Sequence, residues 1–235
     1  KNGYGAKLAN IFSKKFIIET VDSKNKKKFI QEYSNNMNDK SEPKITRSTG
    51  QPYTKITFEP ELERFNMDRF DDDIVSIMKK RAYDISAWTD KTVTVQLNGK
   101  KIECKTFEKY VDLYLGDKIE RPRIYQQIND RWEIVATYSD DDVFQQVSFV
   151  NGINTVRGGK HVEYISDQIR DKLVEYMHKR KKLTVKSNII KNQLMVFVKA
   201  VIVNPSFDSQ TKETLTTSKA SFGSKCDIPN TFIDK

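Results

Sequence analysis

The opening string Lys1-Asn2-Gly3-Tyr4-Gly5-Ala6-Lys7-Leu8 sets two glycines two positions apart, directly before an apolar helical pattern. Glycine reaches positive φ without penalty and lets backbone approach a ligand closely. A helix opening near Ala6 would turn unpaired N–H groups and its positive dipole end toward whatever sits there. A phosphate suits that position. From the residues alone, two readings stand side by side: a phosphate seat, or a turn that only redirects the chain. The string lacks the Lys-Ser or Lys-Thr of a P-loop, and no strand precedes it as the dinucleotide fingerprint requires. A nucleotide loop also needs a strand and pocket walls before it, so as a phosphate seat it is expected to continue a domain that starts upstream.

Positive charge gathers at His178-Lys179-Arg180-Lys181-Lys182, with Lys186 and Lys191 beyond. Such a cluster can neutralise nucleic-acid phosphates and release their counterions. It can equally complement the dipole at a helix C-terminus. The run from Lys24 to Lys28 lies between two strand-like segments and reads as a solvated turn. Asp71, Asp72 and Asp73 are consecutive, so on a helix they point in different directions; dipole compensation explains them better than a metal site. Two cysteines, Cys104 and Cys226, and two histidines, His161 and His178, make no set at zinc-ligand spacing. No metal site is expected in the chain.

The elements that must position these groups alternate between periods. Residues 6–13 read as a short helix, and residues 15–22, 28–35, 44–47 and 53–59 as strands of an antiparallel meander. Residues 68–86 switch to helical spacing through Phe70, Ile74, Ile77, Met78 and Ile85. Residues 92–97 and 100–105 flank Asn98-Gly99, the dipeptide favoured by type I′ hairpins. Residues 107–115 read as a helix and 116–122, marked by Gly and Pro, as a linker. A second hairpin is expected from 123–129 and 132–138, then a strand over 145–150. Val162, Ile165, Ile169, Leu173 and Met177 mark the longest helix, 161–181. The apolar run 194–203 is expected as a strand buried on both faces, closing a strand–helix–strand crossover on a mixed sheet.

The chain has 235 residues, 37% of them hydrophobic and 31% charged, with a formal charge of +9. That length accommodates two domains. No apolar run approaches the roughly 20 residues that cross a bilayer, so no membrane association is expected. The positive balance favours polyanionic partners.

Two further strings convert the opening loop into a specific reading. They are Ser148-Phe149-Val150-Asn151-Gly152-Ile153-Asn154-Thr155, continuing through Gly158-Gly159-Lys160-His161-Val162, and Asn204-Pro205-Ser206-Phe207-Asp208-Ser209-Gln210-Thr211-Lys212-Glu213. In that order after the glycine loop, they closely resemble the ATPase and transducer region of eukaryotic-type (type IIA) DNA topoisomerase II. The resemblance extends to Lys55-Ile56-Thr57-Phe58, Arg81-Ala82-Tyr83-Asp84-Ile85 and Ser221-Phe222-Gly223-Ser224.

The resemblance implies an α+β fold. Residues 1–119 would be the C-terminal part of a GHKL ATP-binding domain with a mixed sheet, and 120–235 a transducer domain with a βαβ crossover helix. It implies that Asn2, Gly3, Tyr4, Gly5, Ala6 and Lys7 contact nucleotide phosphates. Gln210, Thr211 and Lys212 would reach across from the transducer, with the lysine at the γ-phosphate. Lys179, Arg180, Lys181 and Lys182 would touch double-stranded DNA. The family's general base, its magnesium-binding asparagine and its adenine-reading aspartate are expected upstream of this sequence. The chain would therefore bind ATP with Mg²⁺ held elsewhere, relay nucleotide state to strand passage, and not hydrolyse ATP alone. Homodimerisation through the ATPase region and a nuclear location are also implied. The alternatives are a non-catalytic basic module that binds nucleic acid, and another GHKL ATPase.

Overall fold

The computed structural model describes residues 3–235. The chain packs as two compact units, 1–75 and 76–235, and the division falls inside a helix. It is a packing division, separate from the domain junction expected near residue 119.

The first unit begins with α1 (Tyr4–Ile11), which starts earlier than the expected Ala6 because Gly3, at φ 70°, already serves as its N-cap. Five strands follow: β1 (Ser13–Asp22), β2 (Lys27–Ser34), β3 (Asp39–Lys40), β4 (Lys44–Arg47) and β5 (Tyr53–Pro60). The expected meander is corrected. β3 and β4 both pair with β2, while β5 crosses to the far edge of β1, giving the order β3-β2-β1-β5. The register explains that route. β1 is the longest strand, and its Phe16 and Ile18 stand opposite Phe58 and Ile56 of β5. Phe16 also faces Tyr33, and Phe29 faces Ile45. One face of this sheet is therefore apolar, yet Ile45, Ile56 and Phe58 remain 59%, 47% and 49% exposed. The other face carries the ion pairs Lys15–Glu32 and Lys28–Glu19. Among the described hydrophobic side chains of this unit, only Phe16 and Val21 are buried.

Helix α2 (Asp72–Trp88) opens with Asp72 and Asp73 in its first turn, and the Asp71 carboxylate accepts from the Ile74 N–H at 2.8 Å. The aspartates thus satisfy the helix N-terminus, as their placement suggested. Its apolar stripe does not form a core: Ile77, Met78 and Ile85 are exposed, and the buried positions are Asp84, Ser86 and Ala87. Asp84 accepts from the Tyr110 hydroxyl at 2.7 Å and from Lys80 Nζ at 3.0 Å, and Lys80 also donates to Asn154 Oδ1 at 3.2 Å. This polar pin joins three segments of the second unit.

The Asn98-Gly99 turn has both residues at positive φ, as type I′ requires. Its ladder is shorter than expected: β6 (Gln96–Leu97) and β7 (Lys100–Lys101). α3 (Phe107–Leu115) is capped by Thr106, whose side chain accepts from the Lys109 N–H. The segment expected as a linker is pinned at its start, where buried Arg123 donates to Asp112 of α3 and to the Gly116 carbonyl. β8 (Ile124–Asn129), β9 (Trp132–Tyr138), β10 (Gln145–Val150) and β11 (Ile153–Asn154) lead to α4 (Lys160–Lys181), α5 (Ser187–Asn192), β12 (Leu194–Ala200) and α6 (Asn230–Ile233). The sheet order is β11-β10-β12-β9-β8, with β10 and β12 parallel and the other pairs antiparallel. This is the expected βαβ crossover on a mixed sheet. Val196, Val198 and Ala200 pack with Ile165 and Ile169 of α4 on one face; Met195 and Phe197 pack with Phe107 and Val111 of α3 on the other.

Fully buried Phe197 and half-exposed Ile56 test the contrast between the two units. Phe197→Ala should cost about 3–5 kcal/mol, against less than about 0.5 kcal/mol for Ile56→Ala. Urea unfolding of the 235-residue chain measures both.

Candidate functional site

Lys1 and Asn2 lie outside the described residues; the opening string can be placed from Gly3 onward. The N–H groups of Tyr4, Gly5 and Ala6 begin α1, and the first backbone bond in this turn runs from the Lys7 N–H to the Gly3 carbonyl at 3.4 Å. Among the described residues no side chain caps this end, which leaves the first-turn amides their donor capacity there. Gly3 needs its glycine for φ 70°, whereas Gly5 does not take the positive φ open to it. A Cβ built on Gly5 would meet no heavy atom within 4 Å. Packing against the described residues therefore does not require glycine there, and the position leaves room for close approach by something else.

In the second unit, Gln210, Thr211 and Lys212 occupy a loop that leaves the body and returns to it. Gln210 and Thr211 are exposed, Lys212 is half-buried with φ 60°, and its N–H donates to the Ser209 carbonyl at 3.1 Å. Among the described residues Lys212 joins no ion pair. The returning strand of the loop is fixed by backbone. Leu215 N–H donates to the Gly158 carbonyl at 3.0 Å, Lys160 N–H to the Leu215 carbonyl at 3.0 Å, and Arg157 N–H to the Glu213 carbonyl at 3.0 Å. Leu215 is buried.

Gly159, at φ 125°, allows this contact. A Cβ there would lie 2.3 Å from the Leu215 oxygen and 2.5 Å from its nitrogen. Gly158-Gly159 is also the entry to α4, so one turn seats the loop and starts the longest helix. Sequence reading used these glycines only as part of a resemblance; a glycine pair immediately before a long helical stripe was the available signal for a close backbone approach.

Beneath that turn the His161 ring is fully buried. Its Nε2 lies 3.1 Å from Thr155 Oγ1, which lies 2.6 Å from Ser148 Oγ, while Nδ1 has no partner among the described residues. Burial holds the imidazole neutral by pushing its pKa from 6.5 down to about 3.

At its other end α4 carries His178, Lys179, Arg180 and Lys181 in its last turn and Lys182 as a left-handed cap. All five are exposed. Lys179 pairs with Glu175 one turn earlier, and Arg180, Lys181 and Lys182 join no ion pair among the described residues. They complement the helix dipole and remain open to an external anion.

A mixed sheet with a seated Gln-Thr-Lys loop, preceded by a glycine-capped helix, defines a class of protein. Residues 105–232 match the DNA gyrase B family model, and the chain belongs to that family. It is 50% identical over 243 residues to DNA topoisomerase 2 of Arabidopsis thaliana, an alignment covering 100% of this chain and 16% of that protein. It is 48% identical over 240 residues to human DNA topoisomerase 2-alpha, covering 99% and 16% respectively. The crystal structure of the ATPase region of Saccharomyces cerevisiae topoisomerase II matches with a TM-score of 0.91 at 47% identity, covering 100% of this chain and 61% of that one. The ATPase and transducer domains of DNA topoisomerase II from Balamuthia mandrillaris match with a TM-score of 0.92 at 44% identity, covering 100% and 60%. The α+β fold is that of these ATPase and transducer domains. The chain spans only 16% of the length of the curated relatives cited.

The neutral His161 makes a pH signature. The unfolded chain takes up a proton near pH 6.5 that the native ring refuses until about pH 3, so stability is full above that range and falls as the pH drops through it. His161→Gln should lower stability at pH 7 and flatten this dependence, as measured by urea unfolding between pH 7 and 4.

Proposed function

We propose that the chain is the ATP-gate portion of a type II DNA topoisomerase, an isomerase that couples ATP hydrolysis to passage of one duplex through another. The observation that carries this reading is the end-to-end similarity to topoisomerase II ATPase regions. In this reading residues 1–119 belong to the GHKL ATP-binding domain and 120–235 to the transducer. The uncovered apolar face of the first sheet is what part of a larger domain would leave bare.

ATP fits the groups available. The uncapped amides of α1 and the open space at Gly5 suit phosphate oxygens, with Asn2, Gly3, Tyr4, Gly5, Ala6 and Lys7 as contacts. Gln210, Thr211 and Lys212 supply the second set, with the Lys212 ammonium on the terminal phosphate. Such a cation binds strongly only while that phosphate is present, so hydrolysis removes a contact that distinguishes two states. Magnesium accompanies the nucleotide and is assigned no ligand in this chain, nor is a general base; the chain alone is not the hydrolase. Lys179, Arg180, Lys181 and Lys182 contact double-stranded DNA. The whole protein acts as a homodimer in the nucleus.

The test uses the full-length enzyme. Lys212→Ala should reduce ATP turnover and ATP-dependent strand passage roughly tenfold or more, with DNA cleavage retained. Replacing Lys179, Arg180, Lys181 and Lys182 by glutamate should instead weaken DNA affinity and flatten its salt dependence, with nucleotide binding retained. Unimpaired strand passage in Lys212→Ala overturns the gate reading. DNA binding that depends on the four basic residues but is indifferent to nucleotide would then favour a basic nucleic-acid module.

A further inference from the structure

The loop bearing Lys212 is closed at its neck as well as seated from below. Asp208 N–H donates to the Thr214 carbonyl at 3.2 Å, and Thr214 N–H donates back to Asp208 Oδ1 at 3.1 Å. Within this clasp, the Ser209 and Thr211 hydroxyls lie 2.8 Å apart, and the Lys212 N–H is held by the Ser209 carbonyl. Asp208 itself is exposed and joins no ion pair among the described residues. Its carboxylate is held below the usual range by the Thr214 hydrogen bond, so it stays ionised and a strong acceptor. Its Oδ1 is committed to the backbone of the loop itself, through the Thr214 N–H.

We propose that Asp208 is a positioning residue for Lys212: its carboxylate clasps the loop shut, and Gly159 seats the closed loop on the body, so that the ammonium is presented at one fixed reach. The proposal rests on the reading that Lys212 meets the terminal phosphate. Two independent sets of bonds then determine where the lysine stands. Opening the clasp leaves Lys212 chemically intact but free to wander, and a misplacement of about 1 Å can cost up to roughly a hundredfold in rate. Asparagine preserves the accepting oxygen and removes the charge, which separates the clasp from any electrostatic role of the carboxylate.

The experiment compares Asp208→Ala, Asp208→Asn, Lys212→Ala and the Asp208→Ala/Lys212→Ala double variant in the full-length enzyme, reading kcat and KM for ATP hydrolysis and the affinity for ADP. Asp208→Ala is expected to lower kcat/KM for ATP roughly tenfold, with ADP affinity unmoved because ADP lacks the terminal phosphate. Asp208→Asn should restore it to within about twofold, and the double variant should be no worse than Lys212→Ala alone, because both act on one contact. Equal losses in Asp208→Ala and Asp208→Asn, additive losses in the double variant, or an unimpaired Asp208→Ala beside an impaired Lys212→Ala would each overturn the positioning role. An unimpaired Lys212→Ala would overturn the terminal-phosphate reading itself, and with it this proposal. Gly159→Ala gives a second approach: the seat is disturbed from below, and turnover should fall with ADP affinity again retained.

Discussion

The constraint on which the second unit's surface loop depends is the pairing of backbone with backbone at Gly159 and Leu215. No side chain larger than hydrogen fits between them, and the bonds on either side tie an irregular surface loop to the first turn of a long helix. A loop held only by its own side chains would sample many positions; one held through main-chain bonds to a packed helix inherits the rigidity of the core. That core is continuous below it: Leu215 lies in the same cluster as Val162 and Ile165 of α4 and Val196 and Val198 of β12.

The two units differ in what keeps them folded. The second has a sheet covered on both faces, with Trp132, Ile134 and Val198 fully enclosed on one side and Phe107, Val111 and Phe197 on the other. The first is built on backbone ladders with few enclosed side chains, and much of its apolar face stays in contact with solvent. Burial of apolar surface is the dominant favourable term in folding, so most of the thermodynamic weight lies in residues 76–235.

Local pattern made much of this legible. The stripe through Val162, Ile165 and Ile169 needed only helical spacing, and the run 194–203 needed only its length and β-branching to read as a strand, although the strand itself closes at Ala200. Asn98-Gly99 announced its turn through φ alone. Non-local choices were not legible. Nothing near β5 says that it must cross to the far edge of β1, because the reason lies in Phe16 and Ile18. The helical spacing of α2 was legible but not which of its positions are buried: they include Asp84, held by the Tyr110 hydroxyl of α3 and by Lys80 of its own helix. The candidate site divides the same way. Gly3 and Gly5 could be read from the string, and Lys212 from a resemblance. The clasp at Asp208 depends on a backbone partner that no pattern reveals.

Helix α4 joins the seated loop to the exposed basic residues without interruption. At 1.5 Å per residue its 22 residues make a rod of about 33 Å. By that geometry, a tilt of about 5° at the glycine turn would swing the far tip by about 3 Å, close to the length of a hydrogen bond. Small angular adjustments at one end are therefore geared up into displacements large enough to make or break ionic contacts at the other.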